Sequence, residues 1–305
     1  MTTCENNNCG AGGDCCSESP ERYLELLHKT PVNTVCPNFY LFDHARGCRF
    51  ECSYCFLRDE EYDFKQQIVF TDKKRLFEEL AEWVKQDNLE SYLANSGNMA
   101  DSLAFEHERP LWGELVEFMR ENAEKPGRKH CLLVLTKAGS ECCGAFFERE
   151  PCKNIIISFS INAPDAARDH EHGAATPQGR LEAARRLIEQ GWRVRIRIDP
   201  MIKGYDYSWL IEEIRKLKPE RVTLGTLRAD PTLQPMLRGE SIFKELVPGP
   251  EGSIGRYPDD VRRKMYGQAV DRLRDVTSLG LCEETPEMWD SLGLDTVNKT
   301  CNCNP

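Results

Sequence analysis

The sequence lacks the features that would place the protein in a membrane, outside the cell or on nucleic acid. Its fully apolar runs are short, as at residues 131–135 (CLLVL), whereas a membrane-spanning helix needs about 20 apolar residues. Acidic residues outnumber basic ones by 50 to 40, and the net charge of −10 disfavours broad electrostatic binding to nucleic acid. The opening residues, MTTCENNN, lack the basic and apolar regions of a secretory signal. We therefore expect a cytoplasmic protein that does not bind membranes.

Cysteine is the residue type that stands out, with 15 in a chain of 305 residues. Hydrophobic residues make up 40% and charged residues 30%, which is typical of a globular protein with a sizeable core. A disulfide framework is typical of short secreted chains and does not suit this one. We therefore expect reduced thiols, which are soft ligands for iron or another thiophilic atom.

Strand-like apolar runs alternate with amphipathic helical segments along most of the chain. Strands are predicted at residues 38–43, 89–94, 130–136, 154–162, 192–199 and 221–227, and helices at residues 19–29, 72–86, 111–122, 176–190, 207–217 and 259–276. Strands that are each followed by a helix or loop return predict right-handed βαβ units and a parallel sheet. Six such units are too few for a closed eight-stranded barrel, so we predict an α/β fold, a partial (β/α)6 barrel with helices outside.

Composition divides the chain into three parts. Residues 1–18 are polar and rich in Gly and Asn, so we predict a flexible arm that carries Cys4, Cys9, Cys15 and Cys16. Residues 19–280 form the predicted barrel, and residues 281–305 form a cysteine-containing tail that ends in CNCNP.

Three cysteines, Cys48, Cys52 and Cys55, lie close together in the loop after the first strand of the predicted barrel. Thiolates at this spacing can bind three irons of a [4Fe–4S] cluster and leave the fourth iron open. A zinc site is the alternative, but it needs a fourth ligand, commonly from a second Cys-x-x-Cys pair, and the sequence has none. Loops after parallel strands form the sites of such barrels, which favours the iron cluster.

This arrangement resembles the radical S-adenosylmethionine (SAM) superfamily, whose hallmark is CxxxCxxC after the first strand of a partial (β/α)6 barrel. The resemblance implies a [4Fe–4S] cluster on Cys48, Cys52 and Cys55, with SAM chelated by the open iron. It also implies reductive cleavage of SAM, usually to methionine and a 5′-deoxyadenosyl radical, and a reductant such as flavodoxin or ferredoxin. The residue at the position of Tyr54 typically lies beside the adenine in this superfamily.

Further stretches resemble the spore photoproduct lyase branch, namely residues 98–107 (NMADSLAFEH), 135–137 (LTK), 159–162 (FSIN) and 171–185. The resemblance suggests that Lys137 and Ser160 contact the carboxylate and the sugar of SAM. Both residues end predicted strands, and a lysine among apolar residues needs a buried anion or a route to water. Glu171 is predicted either to touch the SAM ribose or amine or to be solvated.

Two departures from that branch disfavour DNA repair. The lyases have a hydrogen-donating cysteine where this chain has Asn98, and a relay tyrosine where it has Phe56. Neither an amide nor a phenyl ring donates a hydrogen atom as a thiol or a phenol does. DNA repair also requires a cationic surface, which an acidic chain does not favour. We therefore expect a small-molecule substrate rather than nucleic acid.

The fifth predicted strand alternates completely, with apolar residues on one face and Arg193, Arg195, Arg197 and Asp199 on the other. The apolar face should meet the helices, which turns the arginines into the barrel. Arg195 and Arg197 are therefore predicted to bind an anion, either the SAM carboxylate or an acidic substrate. An exposed edge strand with its arginines in water is the alternative.

The cysteines outside the trio leave a second site open. The pairs at residues 15–16 and 142–143, together with Cys301 and Cys303, could bind a second cluster, zinc or a thiophilic substrate such as trivalent arsenic. Ordinary buried cysteines are the alternative for those in apolar surroundings.

These observations leave four functions open. The first is a radical SAM enzyme that modifies a small molecule. The second is transfer of the 3-amino-3-carboxypropyl group of SAM to a thiol-bound arsenic centre, as in the radical SAM enzyme of arsinothricin biosynthesis. The third is spore photoproduct lyase-like DNA repair, and the fourth is non-enzymatic metal binding by thiolates.

Overall fold

The computed structural model describes residues 19–27, 33–58, 67–230, 241–249 and 254–305. The predicted N-terminal arm, residues 1–18, lies outside these ranges. The strands and helices of the described ranges follow in chain order: β1 (Leu24–Leu27), β2 (Phe39–Phe42), β3 (Ala45–Arg46), β4 (Ile68–Val69), α1 (Lys73–Lys85), β5 (Leu93–Asn95), α2 (Trp112–Asn122), β6 (Cys131–Thr136), α3 (Gly144–Phe147), β7 (Ile155–Ser160), α4 (Pro164–His170), α5 (Pro177–Gln190), β8 (Arg193–Met201), α6 (Ser208–Leu217), β9 (Arg221–Thr226), β10 (Arg228–Ala229), β11 (Gly255–Arg256), α7 (Asp259–Leu273), β12 (Ser278–Leu281) and α8 (Pro286–Ser291).

One eight-stranded sheet organises the fold, in the order β1-β2-β5-β6-β7-β8-β9-β12. All neighbours from β2 to β12 pair in parallel, and only the edge strand β1 is antiparallel. This confirms the α/β fold with a partial barrel of parallel strands and helices outside. The prediction missed β12, a short strand beside β9 that adds one parallel strand to the six predicted.

The first predicted helix, at residues 19–29, is wrong where the structure describes it. Residues Leu24–Leu27 form β1, which pairs antiparallel with β2 from Leu24 opposite Phe42 to Leu27 opposite Phe39. The preceding Tyr23 is fully buried, and its backbone N–H donates to Glu79 in α1 at 2.8 Å. Pairing with an open sheet edge therefore outweighs the helix-start signal of Ser19 and Pro20.

The two faces of the sheet differ in chemistry because its side chains alternate. Val194, Ile196 and Ile198 of β8 pack in the main core beneath the helices, as the alternation predicts. A second, smaller apolar cluster lies on the inner face near the strand N-terminal ends and contains Phe39, Leu93, Cys131, Leu133 and Ile156. Within the described residues, no helix combines the length and apolar character required to cross a bilayer.

The C-terminal tail closes the N-terminal end of the barrel. Arg195 in β8 donates from Nη1 to the carbonyl oxygens of Asn302 and Asn304, both at 2.7 Å. Arg221 at the start of β9 donates to Cys301 O at 2.6 Å. Cys303 packs against the small inner apolar cluster. The tail therefore packs at the end of the barrel where β8 and β9 begin, and its own backbone carbonyls hold it there.

Candidate active site

The cysteine loop runs from β3 to a short 3-10 helix at Phe56–Arg58. Cys48 and Cys52 are buried and Cys55 is half-buried. Gly47 N–H donates to Met99 O at 3.0 Å, and Ser53 N–H donates to His170 O at 2.9 Å. The loop is thus fixed from two sides, by the segments that follow β5 and β7.

Burial and mutual repulsion oppose ionisation of these thiols. Burial, followed by the nearby charge of Asp101, raises the pKa of Cys48 to about 12. Burial is also the main cause that raises the pKa of Cys52 to about 12, with further contributions from Glu171, Cys55 and Cys48. Three neighbouring thiolates are stable only if a cationic centre binds them, because bound metal inverts the local pKa balance. The donor set therefore fits a group that carries iron.

A cluster suits the three thiols better than a structural zinc ion does, because a structural zinc ion takes four protein ligands. Across the ranges described above, no three His, Cys, Asp or Glu side chains are placed to share one metal ion. A structural zinc ion needs its ligands around one point. A [4Fe–4S] cluster instead binds each cysteine to a different iron, so its ligands stand farther apart. Cys48, Cys52 and Cys55 would hold such a cluster.

Four of the predicted site residues come together beside the cysteine loop. Lys137, directly after β6, donates from Nζ to Ser160 Oγ at 2.9 Å. The same Nζ lies 5.7 Å from the centre of the Tyr54 ring. The Tyr54 hydroxyl donates to Glu171 Oε1. We call Tyr54, Lys137, Ser160 and Glu171 the polar group of the site.

Glu171 is a buried partner of Arg180 and is not solvated, so that alternative is wrong. Arg180 Nη2 lies 2.5 Å from Glu171 Oε2, and the two side chains are 0% and 1% exposed. Burial acts to raise the pKa of Glu171, but Arg180 and Lys137 outweigh it, and the pKa is lowered. Burial, with Glu171 next in importance, raises the pKa of Tyr54. The surroundings therefore favour the ionised carboxylate of Glu171 and the protonated phenol of Tyr54.

Sequence reasoning missed Arg180 as a member of the site. Besides Glu171, its guanidinium donates to Ser160 O and to Ala175 O, both at 2.8 Å. It thereby joins the end of β7 to the loop before α5. The available signal was a charged residue on the buried stripe of α5, next to Leu181 and in line with Ala184.

Asp101 holds the backbone from which Lys137 projects. Its carboxylate accepts from Thr136 Oγ1 at 2.7 Å and from Lys137 N at 2.6 Å. Burial raises its pKa, and these donors act in the opposite direction. Asp101 therefore positions Lys137 through its backbone N–H. Asp101 lies in the same segment as Met99, whose carbonyl accepts from Gly47 N–H.

The two predicted anion-binding arginines are placed differently from each other. Arg195 is fully buried at the tail end of the barrel, with Nη2 at 2.8 Å from Glu220. The structure does not bring it to the polar group. Arg197 pairs with Asp199, whose backbone oxygen accepts from Ser160 Oγ at 3.1 Å. Arg197 therefore adjoins the polar group, but both arginines already have carboxylate partners.

Gly173 allows two loops to approach closely, which gives a testable prediction. Its N–H donates to Phe50 O at 3.0 Å, and a Cβ at this position would lie 2.6 Å from Arg49 O and 2.9 Å from Phe50 Cα. We expect Gly173→Ala to displace the cysteine loop and to lower the iron retained after reconstitution. Iron analysis of the purified protein measures the effect.

The matched control for this prediction is Gly267→Ala in α7, where a Cβ would meet nothing within 4 Å. Alanine is the better helix former, so this variant should gain about 0.5–1 kcal/mol in stability. Equal iron retention in the two variants would contradict the steric role of Gly173.

Comparison with known proteins supports the fold assignment. No protein family model matches the chain, and no curated protein sequence matches it. A spore photoproduct lyase mutant with bound AdoMet and dinucleoside spore photoproduct aligns with a TM-score of 0.68 and 16% identity, over 81% of this chain and 76% of the lyase. SuiB of Streptococcus suis bound to S-adenosylmethionine aligns with a TM-score of 0.52 and 13% identity, over 82% of this chain and 51% of SuiB.

Both of these neighbours were solved with S-adenosylmethionine bound. The alignments confirm the α/β fold with its partial barrel, and the chain spans about half the length of SuiB. At these identities the alignments establish the fold alone, so the reaction and the substrate are matters for proposal.

Proposed function

We propose that this protein is a radical SAM enzyme with a [4Fe–4S] cluster on Cys48, Cys52 and Cys55. The observation that carries the proposal is the convergence of the cysteine loop with Tyr54, Lys137, Ser160 and Glu171 at the carboxyl ends of β6 and β7. Ligand sites of parallel α/β folds lie at these strand ends.

The chain's own residues supply binding and positioning. When bound, the cluster would supply the electron that cleaves a sulfonium bond of SAM. Lys137 offers a cation for the SAM carboxylate and Ser160 a hydroxyl for its sugar. Tyr54 offers an aromatic face, and its hydroxyl is held by the buried Glu171. The Arg180–Glu171 pair fixes this arrangement before any ligand binds.

The product assay tests this proposal and distinguishes the candidate functions. Anaerobic reconstitution, reduction with dithionite and mass analysis should show 5′-deoxyadenosine formed from SAM. Methylthioadenosine instead would indicate transfer of the 3-amino-3-carboxypropyl group. Neither product, from protein shown to carry iron and sulfide, would contradict the proposal and favour non-enzymatic metal binding.

A substitution at Lys137 tests the predicted binding roles. Lys137→Met keeps the length of the side chain but removes its charge, so we expect the dissociation constant for SAM to rise about tenfold, or roughly 1.4 kcal/mol. Equilibrium dialysis of the reconstituted protein measures it. Lys153→Met is the control, since Lys153 lies in the turn before β7, away from the polar group. An unchanged affinity in Lys137→Met would remove this residue from the SAM site.

A small molecule remains the proposed substrate, and DNA is disfavoured. One lyase structure contains a dinucleoside spore photoproduct, and a second structure of SuiB contains its precursor peptide SuiA. By the resemblance, this chain has Asn98 where the lyases have a hydrogen-donating cysteine, and Phe56 where they have a relay tyrosine. Its net charge is −10. We also predict that flavodoxin, ferredoxin or a similar protein reduces the cluster, and that the protein is cytoplasmic.

A further inference from the structure

The side chain of His170 joins the cysteine loop to the loop between β8 and α6. His170 is the last residue of α4 and is buried. Its Nδ1 lies 2.8 Å from Ser53 Oγ, and its Nε2 lies 3.0 Å from the hydroxyl of Tyr205. The Tyr205 hydroxyl in turn donates to Asp169 Oδ2 at 3.0 Å. We call Ser53, His170, Tyr205 and Asp169 the histidine chain.

One arrangement of protons satisfies the histidine chain when the imidazole is neutral. The pKa of Asp169 is lowered, first by its hydrogen bond from Tyr205 and then by Arg168, and an ionised carboxylate can only accept. The Tyr205 hydroxyl donates to Asp169, so its oxygen accepts from His170 Nε2–H. The neutral ring then has Nδ1 as an acceptor for the Ser53 hydroxyl. Every donor thus points from the cysteine loop toward the exposed Asp169, and such aligned hydrogen bonds polarise one another.

His170 and the residue after it bind two consecutive residues of the cysteine loop. The backbone N–H of Ser53 donates to His170 O at 2.9 Å, so His170 binds Ser53 through both its backbone and its ring. Glu171 accepts from the Tyr54 hydroxyl. The rings of His170 and Tyr54 lie side by side, with their centres 6.5 Å apart. Tyr54 is therefore held at its hydroxyl by Glu171 and through its backbone neighbour by His170.

Ser53 depends on this histidine for the placement of its hydroxyl. Ser53 is buried, and within the described ranges its hydroxyl forms no hydrogen bond other than the one to His170. Burying a hydroxyl without a partner is unfavourable, so the bond favours one position of this residue. Ser53 lies between Cys52 and Tyr54 in the chain, so holding it also fixes the backbone that carries the Tyr54 ring.

We infer that His170 is a positioning residue of the active site, which holds Ser53 so that the Tyr54 ring faces Lys137. Lys137 Nζ lies 5.7 Å from the centre of that ring. Tyr205 binds the other side of the imidazole, so the loop after β8 contributes to the site although it supplies none of the proposed binding groups. The role in SAM binding rests on the proposed function, whereas the hold on Ser53 does not.

Hydrogen exchange of the full-length protein, purified anaerobically, tests the hold on Ser53 without SAM. Asparagine at position 170 can replace Nδ1 as the acceptor for Ser53, whereas glutamine reaches the position of Nε2 and keeps only the bond to Tyr205. We expect His170→Gln to raise the exchange rate of the Ser53 backbone N–H about threefold to tenfold, and His170→Asn to change it less than about twofold. Ser53→Ala should match His170→Gln, and the double variant should add little more.

SAM affinity of the reconstituted protein tests the role in the site. His170→Gln should raise the dissociation constant for SAM about threefold to tenfold, and His170→Asn should restore it to within about twofold. Both changes remove the same ring, so a merely structural role of the imidazole would give equal results.

His172→Asn is the matched control, because His172 is exposed two positions further on, and it should change neither measurement. Equal exchange rates in the two variants at position 170, an unprotected Ser53 N–H in the unmodified protein, or additive effects in the double variant would overturn the hold on Ser53. An exchange difference without a change in SAM affinity would overturn the role in the site. Failure of the unmodified protein to bind SAM would contradict the proposed function, and the exchange result would then decide this inference.

Discussion

Replacing Cys52 with serine is expected to abolish the iron–sulfur chromophore and to reduce SAM cleavage to background. Serine is a poor ligand for iron compared with a thiolate, and only three cysteines are available at this loop. Cys52 is buried, and the charges of Lys137, Cys55 and Cys48 act on its thiol. Visible absorption, iron and sulfide content, and product analysis after anaerobic reconstitution measure the effect.

Cys142→Ser provides the matched control for Cys52→Ser. Its thiol is half-buried in the 3-10 turn Ser140–Cys142 and lies outside the cysteine loop. This variant should retain iron and activity at the level of the unmodified chain. A Cys52→Ser protein that kept its chromophore and turned over SAM would overturn the assignment of the cluster.

Replacing Arg180 with methionine is expected to give the largest loss of stability. It leaves the Glu171 carboxyl buried at 1% exposure without the guanidinium that lowers its pKa, and removal of one partner of a buried ion pair costs about 3–5 kcal/mol. It also removes the donors to Ser160 O and Ala175 O. Chemical unfolding of the metal-free protein measures the change in the free energy of unfolding.

Two comparison variants isolate the buried charge as the cause. Arg168→Met breaks the Arg168–Asp165 pair, whose side chains are both 69% exposed, and should change stability by less than about 1 kcal/mol. Combining Arg180→Met with Glu171→Leu removes both charges and should recover much of the loss. Equal losses in Arg168→Met and Arg180→Met would contradict the buried pair as the source.

The sequence predicted the placement of residues well wherever a short pattern decides it. Cys48, Cys52 and Cys55 are neighbours in sequence, so one loop brings them together whatever the rest of the chain does. Lys137 and Ser160 end strands that are adjacent in the sheet, and parallel strands place their carboxyl ends at one edge. Periodicity also located the central strands and most helices, because burial of one face leaves a repeating signal.

Sequence reasoning failed where a distant segment decides the environment of a residue. The alternation in β8 correctly turned Arg195 inward, but it could not show that Asn302 and Asn304 would accept its hydrogen bonds. Residues 24–27 carry a helix-start signal before them and yet form an edge strand, since β2 offers unpaired backbone groups. Glu171 gives no sign in sequence that Arg180 will neutralise it.

By itself, the sequence determined the parallel α/β architecture and the three-cysteine loop, because periodic burial and close spacing are local properties. Only the tertiary structure decided that the tail packs against the start of β8 and β9 and that Arg180 pairs with Glu171. The tail residues are about a hundred positions from Arg195 in the chain, and their contact depends on how the strands and the tail pack. Contacts of that kind are set by the energy of the whole fold and leave no short pattern.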